Sequence, residues 1–193
     1  MNTQVPPTSG PLLPCSGSAS SGLAPIAYHE AGHVVVGHLL GLQLLDTDIL
    51  PDDDGGRGHA HFAHPGRWFK PERGPLTARE KDLIERVLTT FMAGLAAESH
   101  YGEPDAQGSG YDLDQSLREW VSYVAETAED RDAALRGFLE RATGIVQRSD
   151  AWDAVQAVAA ALLREERLPG AAAVQIVVDV LGGLRVSPPV SGR

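Results

Sequence analysis

The chain has 193 residues, 42% of them hydrophobic and 22% charged, which suits one domain with a buried core and leaves no room for a second catalytic module such as a motor. Its 26 acidic and 16 basic residues leave a net charge of −10, a balance that repels phosphate backbones and anionic headgroups and argues against nucleic acid and membrane surfaces as partners. Residues 1 to 56 contain no Lys or Arg, Cys15 is the single cysteine, and the longest apolar stretch, 34–45, is interrupted by His38 and Gln43. A secretory leader, an intrachain disulfide and a membrane span are therefore not expected, and the expectation is a soluble cytoplasmic protein.

Residues 1–24 are dominated by Pro, Ser, Gly and Thr and read as a flexible tail. A helix is predicted from Pro25 through Val34, Val35, Leu39 and Leu40 to a stop at Gly41. Gly32 and Gly37 lie inside it at a cost of about 1 kcal/mol each relative to alanine, which calls for a close approach by another backbone in compensation. Segments 44–50 and 59–63 read as short strands around the turn-rich 51–56, where Asp52, Asp53 and Asp54 form a solvated turn. A long helix follows over 77–100, with Leu83, Val87, Leu88, Phe91, Leu95 and Glu98 at helical spacing. Further helices are predicted at 112–127, 130–148, 150–166 and 171–182, before a disordered end at 185–193. The fold expected is mainly α, a helical domain over 25–184 with a small β-hairpin or sheet after the first helix. Trp120, Phe138 and Trp152 are assigned to the core.

The chemistry concentrates in His29-Glu30-Ala31-Gly32-His33, an HExxH motif inside the first predicted helix. A shuffled chain of this composition would show roughly 0.016 such matches, so chance is a poor explanation. At about 100° per residue the two histidines stand about 40° apart around the helix and about 6 Å apart along it, so both imidazoles can reach one ion. Glu30 projects beside them, where a carboxylate can take a proton from water that zinc has acidified to a pKa of about 7. A catalytic zinc needs a third protein ligand. His38 lies about 180° from His29 around the helix and cannot supply it. Position 39, where one large zinc-peptidase class places its third histidine, is Leu39, and Cys15 lies in the tail. Glu98 and Asp112 remain, and the residues alone leave that choice open; taken by itself, Asp112 reads as a helix N-cap.

Taken together, Ala27-Tyr28-His29-Glu30-Ala31-Gly32-His33, then Ala93-Gly94-Leu95-Ala96-Ala97-Glu98, Tyr101-Gly102 and Tyr111-Asp112-Leu113-Asp114-Gln115 resemble the peptidase domain of the FtsH-type metalloproteases over residues 26 to 183. The resemblance implies a Zn²⁺ site with His29, His33 and Asp112 as ligands, Glu30 as general base, and Glu98 bracing a ligand from behind. Tyr111 stands where that family usually has asparagine. The resemblance also places Gly58, His59, Ala60, His61 and Phe62 in an edge strand that pairs with the substrate backbone. His59 and His61 alternate onto one face of that strand and are weighed as bystanders rather than an accessory metal site. Small residues Ala93, Gly94, Ala96 and Ala97 offer a face against which Gly32 and Gly37 can pack. The family's usual membrane anchor and ATPase domain are not in these 193 residues, nor is a GxxxxGK[ST] phosphate loop. The expected function is a stand-alone, ATP-independent zinc metalloendopeptidase acting on peptides or unfolded segments, with an oligomer compatible but not assumed. The alternative is a metal-stabilised binding or regulatory module that keeps the fold without turnover.

Overall fold

A computed structural model of the chain describes residues 22–51, 57–63, 75–102 and 120–183. Residues 1–21 of the tail predicted over 1–24, the Asp52–Asp54 turn, Asp112 and the end at 185–193 lie outside the described residues, while Ala24 already opens the first helix. In chain order the elements are α1 (Ala24–Leu39), β1 (Leu44–Pro51), β2 (Arg57–Phe62), α2 (Ala78–Tyr101), α3 (Ala128–Val146), α4 (Ser149–Glu165), β3 (Arg167–Pro169) and α5 (Gly170–Gly183). The fold is mainly helical with one small antiparallel sheet, as the sequence predicts.

Pro25 sits in the first turn of α1, where its missing N–H would have had no helical partner. The helix stops because Gly41 takes φ +75°, letting Leu42 N–H reach the Gly37 carbonyl at 2.8 Å and Gly41 N–H reach that of His38 at 3.0 Å. Thr77 caps α2 reciprocally with Glu80: the Thr77 hydroxyl accepts from the Glu80 N–H, and the Glu80 carboxylate accepts from the Thr77 N–H at 2.8 Å. At the other end Gly102, at φ +96°, closes the helix. These termini fix which turns of the two helices face one another.

The core-facing line of α2 matches the predicted one at Val87, Leu88 and Glu98 and departs from it elsewhere. Ile84 and Leu88 are fully buried, whereas Leu83, Phe91 and Leu95 are only half-buried, because the face turned inward is centred on Ala93 and Ala97. Trp120 is buried; Phe138 and Trp152 are half-buried against the core. The helix predicted to run to 127 stops earlier: residues 120–122 are helical, and Thr127 instead caps α3 by accepting from the Asp130 N–H.

Strand order is β2-β1-β3, both pairings antiparallel. β3 was not expected. Only three residues long, it lies between two helices and pairs Leu168 with Thr47 in β1. Leu45, half exposed, is the bulged residue where the β1–β2 register slips between Leu44 and Asp46. Helix α1 lies at the centre, packed on α2, α4 and the sheet, with Val34, Val35 and Val36 fully buried. No described helix is long and apolar enough to cross a membrane.

Candidate metal centre

Helices α1 and α2 can approach closely because of Gly32. A Cβ there would fall 2.5 Å from the Ala93 carbonyl oxygen and 2.6 Å from Ala97 Cβ, so only glycine permits the contact. Gly37 does something else. Its space is taken by the Phe62 ring, where a Cβ would meet Cε1 at 2.5 Å, so this glycine seats β2 rather than the small-residue face of α2. Tyr28, next to His29, stacks on Tyr101 of α2 with ring centres 4.1 Å apart and lies 5.5 Å from the Trp152 ring of α4, tying three helices together beside the motif.

With the helices so placed, three positions four residues apart on α2 face the two histidines. Glu98 Oε2 accepts from His29 Nδ1 at 3.0 Å, and the Thr90 carbonyl accepts from His33 Nδ1 at 2.7 Å. Because both acceptors lack a proton to give, Nδ1 carries the hydrogen in each ring and Nε2 keeps its lone pair. Between them stands Gly94. A Cβ on Gly94 would fall 2.5 Å from His33 Nε2 and closer still to His29 Nε2, so the two lone-pair nitrogens converge on a space that any side chain would fill.

The paired nitrogens, which only a glycine at 94 leaves room for, suit an ion on their open side. A nitrogen about 2.0–2.1 Å from zinc puts its ring centre about 3.2 Å from the metal, and a tetrahedral angle then separates two ring centres by about 5.2 Å. The His29 and His33 centres are 4.8 Å apart with their planes at 75°. The donor set, the oriented tautomers and the Gly94 gap therefore fit a zinc-type cation. Among the described residues no group of three His, Cys, Asp or Glu side chains forms a complete ligand set; the predicted third ligand, Asp112, lies outside them.

Glu30 is 4% exposed. Gly58 of β2, at φ +83°, passes directly over its carboxylate: a Cβ there would come within 2.8 Å of Oε1. Burial pushes the Glu30 carboxyl up to about 8; the His29 charge opposes this and that of Asp48 adds to it. Burial also lowers His33, to about 3, with the nearby His29 charge assisting and the Thr90 carbonyl opposing. At His29 burial again pulls downward, but the Glu98 hydrogen bond and the Glu30 and Glu98 charges outweigh it and leave the imidazole above its ordinary value.

The sequence-predicted residues thus divide. His29, Glu30, His33 and Glu98 come together. Gly58, His59, Ala60, His61 and Phe62 do form a strand at the sheet edge, with Gly58 at Glu30 and Phe62 packed inward on Gly37. The Thr90 carbonyl, the gap at Gly94 and the Gly58 contact escaped sequence reasoning. Four-residue spacing through 90, 94 and 98 was the available signal, and it is legible only once the two helices are known to be adjacent.

No family model matches the chain. An ATP-dependent zinc metalloprotease FtsH of Trieres chinensis is 30% identical to it over 92 residues, 47% of this chain. The match spans 13% of that relative's length. The likeness hints at a zinc-metallopeptidase-like region and goes no further.

Proposed function

We propose that this chain is a zinc metallopeptidase that cleaves peptide bonds in peptides or unfolded segments without ATP, in the cytoplasm. What carries the reading is the convergence of His29 and His33 Nε2 on the gap at Gly94, with the Glu30 carboxylate buried alongside. His29, His33 and Asp112 would hold the ion, which when bound supplies a Lewis acid and lowers the pKa of water. Glu98 fixes the His29 ring through Nδ1 and the Thr90 carbonyl fixes His33, so neither imidazole has to be oriented when substrate arrives.

Glu30 takes a proton from the attacking water at its carboxylate and returns it to the departing amine. A substrate backbone added along the outer edge of β2 would run past Gly58 and so past Glu30. Such pairing reads the main chain and tolerates many sequences.

One observation favours a second reading, a metal-stabilised binding module without turnover: Gly58 roofs Glu30 closely and leaves its carboxylate almost no exposed surface. Digestion of unfolded casein and peptide libraries by purified protein, with and without chelator, separates the two. Metal-dependent cleavage that falls at least about a hundredfold in Glu30→Gln, with zinc retained, is the expected result. A zinc-loaded, folded protein that cleaves nothing would leave the binding module as the better account.

A further inference from the structure

Where β2 passes over Glu30, the β1–β2 ladder is irregular. Asp48 pairs with His59 and Pro51 with Arg57, so Ile49 and Leu50 together face the single residue Gly58, a β-bulge. A bulge leaves a backbone N–H without its place in the ladder. Ile49 N–H turns to the other side of the strand and reaches the Glu166 carbonyl at 2.9 Å. Leu50 N–H goes instead to Asp48 Oδ1 at 3.2 Å, two residues back on its own strand. The carboxylate thus replaces the acceptor that β2 would have supplied in a regular pairing. Asp48 is 7% exposed, and its other oxygen faces Arg167 Nε of β3 at 3.9 Å. Gly58, opposite the bulge, is the residue that touches α1: a Cβ there would meet Glu30 Oε1 at 2.8 Å, and Glu30 Cγ and Ile26 Cγ2 at 2.9 Å each. Where the Gly58 backbone lies therefore decides where the Glu30 carboxylate can lie.

We propose that Asp48 is a positioning residue for Glu30: by accepting the Leu50 N–H it holds the bulge, the bulge seats Gly58, and Gly58 confines the Glu30 side chain beside His29 and His33. Without that acceptor, the regular register would set Leu50 opposite Arg57 and Ile49 opposite Gly58, and Gly58 would leave its place over the carboxylate. The hydrogen bond does this and not the charge, since the Asp48 charge acts on Glu30 less than burial and the His29 charge do. The role in catalysis rests on Glu30 being the base of the peptidase proposed above; the hold on Gly58 and Glu30 does not.

Two readouts on the full chain test it, one of which needs no activity. In NMR spectra the Gly58 Hα protons should show Overhauser contacts to the Glu30 methylenes, and the Leu50 amide should exchange slowly. Both should persist in Asp48→Asn, whose amide oxygen accepts the same N–H without the charge, and both should be lost in Asp48→Ala. In zinc-loaded protein, Asp48→Ala should lower kcat on a peptide substrate at least about tenfold, and Asp48→Asn should restore it. Zinc affinity should hold within about twofold in both variants, because His29 and His33 keep their partners on α2. If the alanine variant does not fold, Asp48→Ser replaces it; its hydroxyl accepts more weakly, and both readouts should fall between wild type and loss. Gly58–Glu30 contacts that survive Asp48→Ala, or an asparagine variant as defective as the alanine one, would overturn the proposal. Contacts that asparagine preserves and alanine abolishes, in a protein that cleaves nothing, would sink the peptidase reading and leave Asp48 as the residue that holds Gly58 on Glu30.

Discussion

Replacing Gly94 with alanine puts a methyl group where the His29 and His33 nitrogens meet, and the rings must swing away from Glu98 and from the Thr90 carbonyl to make room. Helix propensity pulls the other way, since alanine gains about 1 kcal/mol over glycine in a helix interior. Gly94→Ala is therefore expected to leave the melting temperature little changed while weakening zinc binding at least about tenfold, measured against a competing chelator. At Glu30 the expected signature is a proton count. With its carboxyl raised to about 8 it is mostly protonated at pH 7, and a cation placed beside it expels that proton. His29, held above its ordinary value, adds to the release. Calorimetry in buffers of different ionisation enthalpy should find protons released on zinc binding at pH 7, about one of them lost in Glu30→Gln, with affinity falling as the pH drops. The carboxylates of Asp112 and Glu98 differ in what their loss removes. Asp112→Ala should cost more zinc affinity than Glu98→Ala, because in the proposed site the first would delete a metal bond and the second would loosen one ring; the reverse order in a chelator titration would make Glu98 the ligand. The motif residues are legible in sequence because HExxH encodes its own geometry on a helix. Gly58 over Glu30 is not, since that contact joins strand to helix across 28 positions of chain.

Between elements, the contact that governs the centre is α1 on α2 at Gly32. Gly32→Ala would drive a Cβ into the Ala93 carbonyl and Ala97, atoms held by a regular helix that cannot give. Overpacking of this kind costs about 1–3 kcal/mol, and a chain of this size loses roughly 2–4 °C of melting temperature per kcal/mol. Thermal unfolding should show that loss together with weaker zinc binding, because Glu98 and Thr90 retreat with α2. Long periodic helices and their stops were readable from glycine, proline and apolar spacing. On α2 the small-residue face toward Gly32 was legible, since Ala93 and Ala97 do meet it, and of the periodic line Val87, Leu88 and Glu98 are buried while Leu83, Phe91 and Leu95 stand at its half-buried margin. β3 was invisible for a different reason: Arg167, Leu168 and Pro169 have no alternation to detect, and their pairing with β1 is decided by α4 and α5 on either side.

Over the whole molecule, the sheet has an unusual seam. Its central strand, β1, is held on one side by β2, a few residues ahead in the chain, and on the other by β3, more than a hundred residues later. Ile49 N–H reaches the Glu166 carbonyl at 2.9 Å, and Gly170 packs so closely on β1 that a Cβ would lie 2.7 Å from the Leu45 carbonyl. β2, whose Gly58 covers Glu30, hangs from that same central strand. During synthesis the HExxH helix emerges from the ribosome early, followed at once by β1 and β2, yet both remain a hairpin with one side unpaired until residues 166–170 arrive. Two strands alone are marginal in water. The centre is thus completed late: the histidines leave the ribosome first, Thr90 and Glu98 that orient them follow, and the strand that secures β1, and with it the roof over Glu30, comes last.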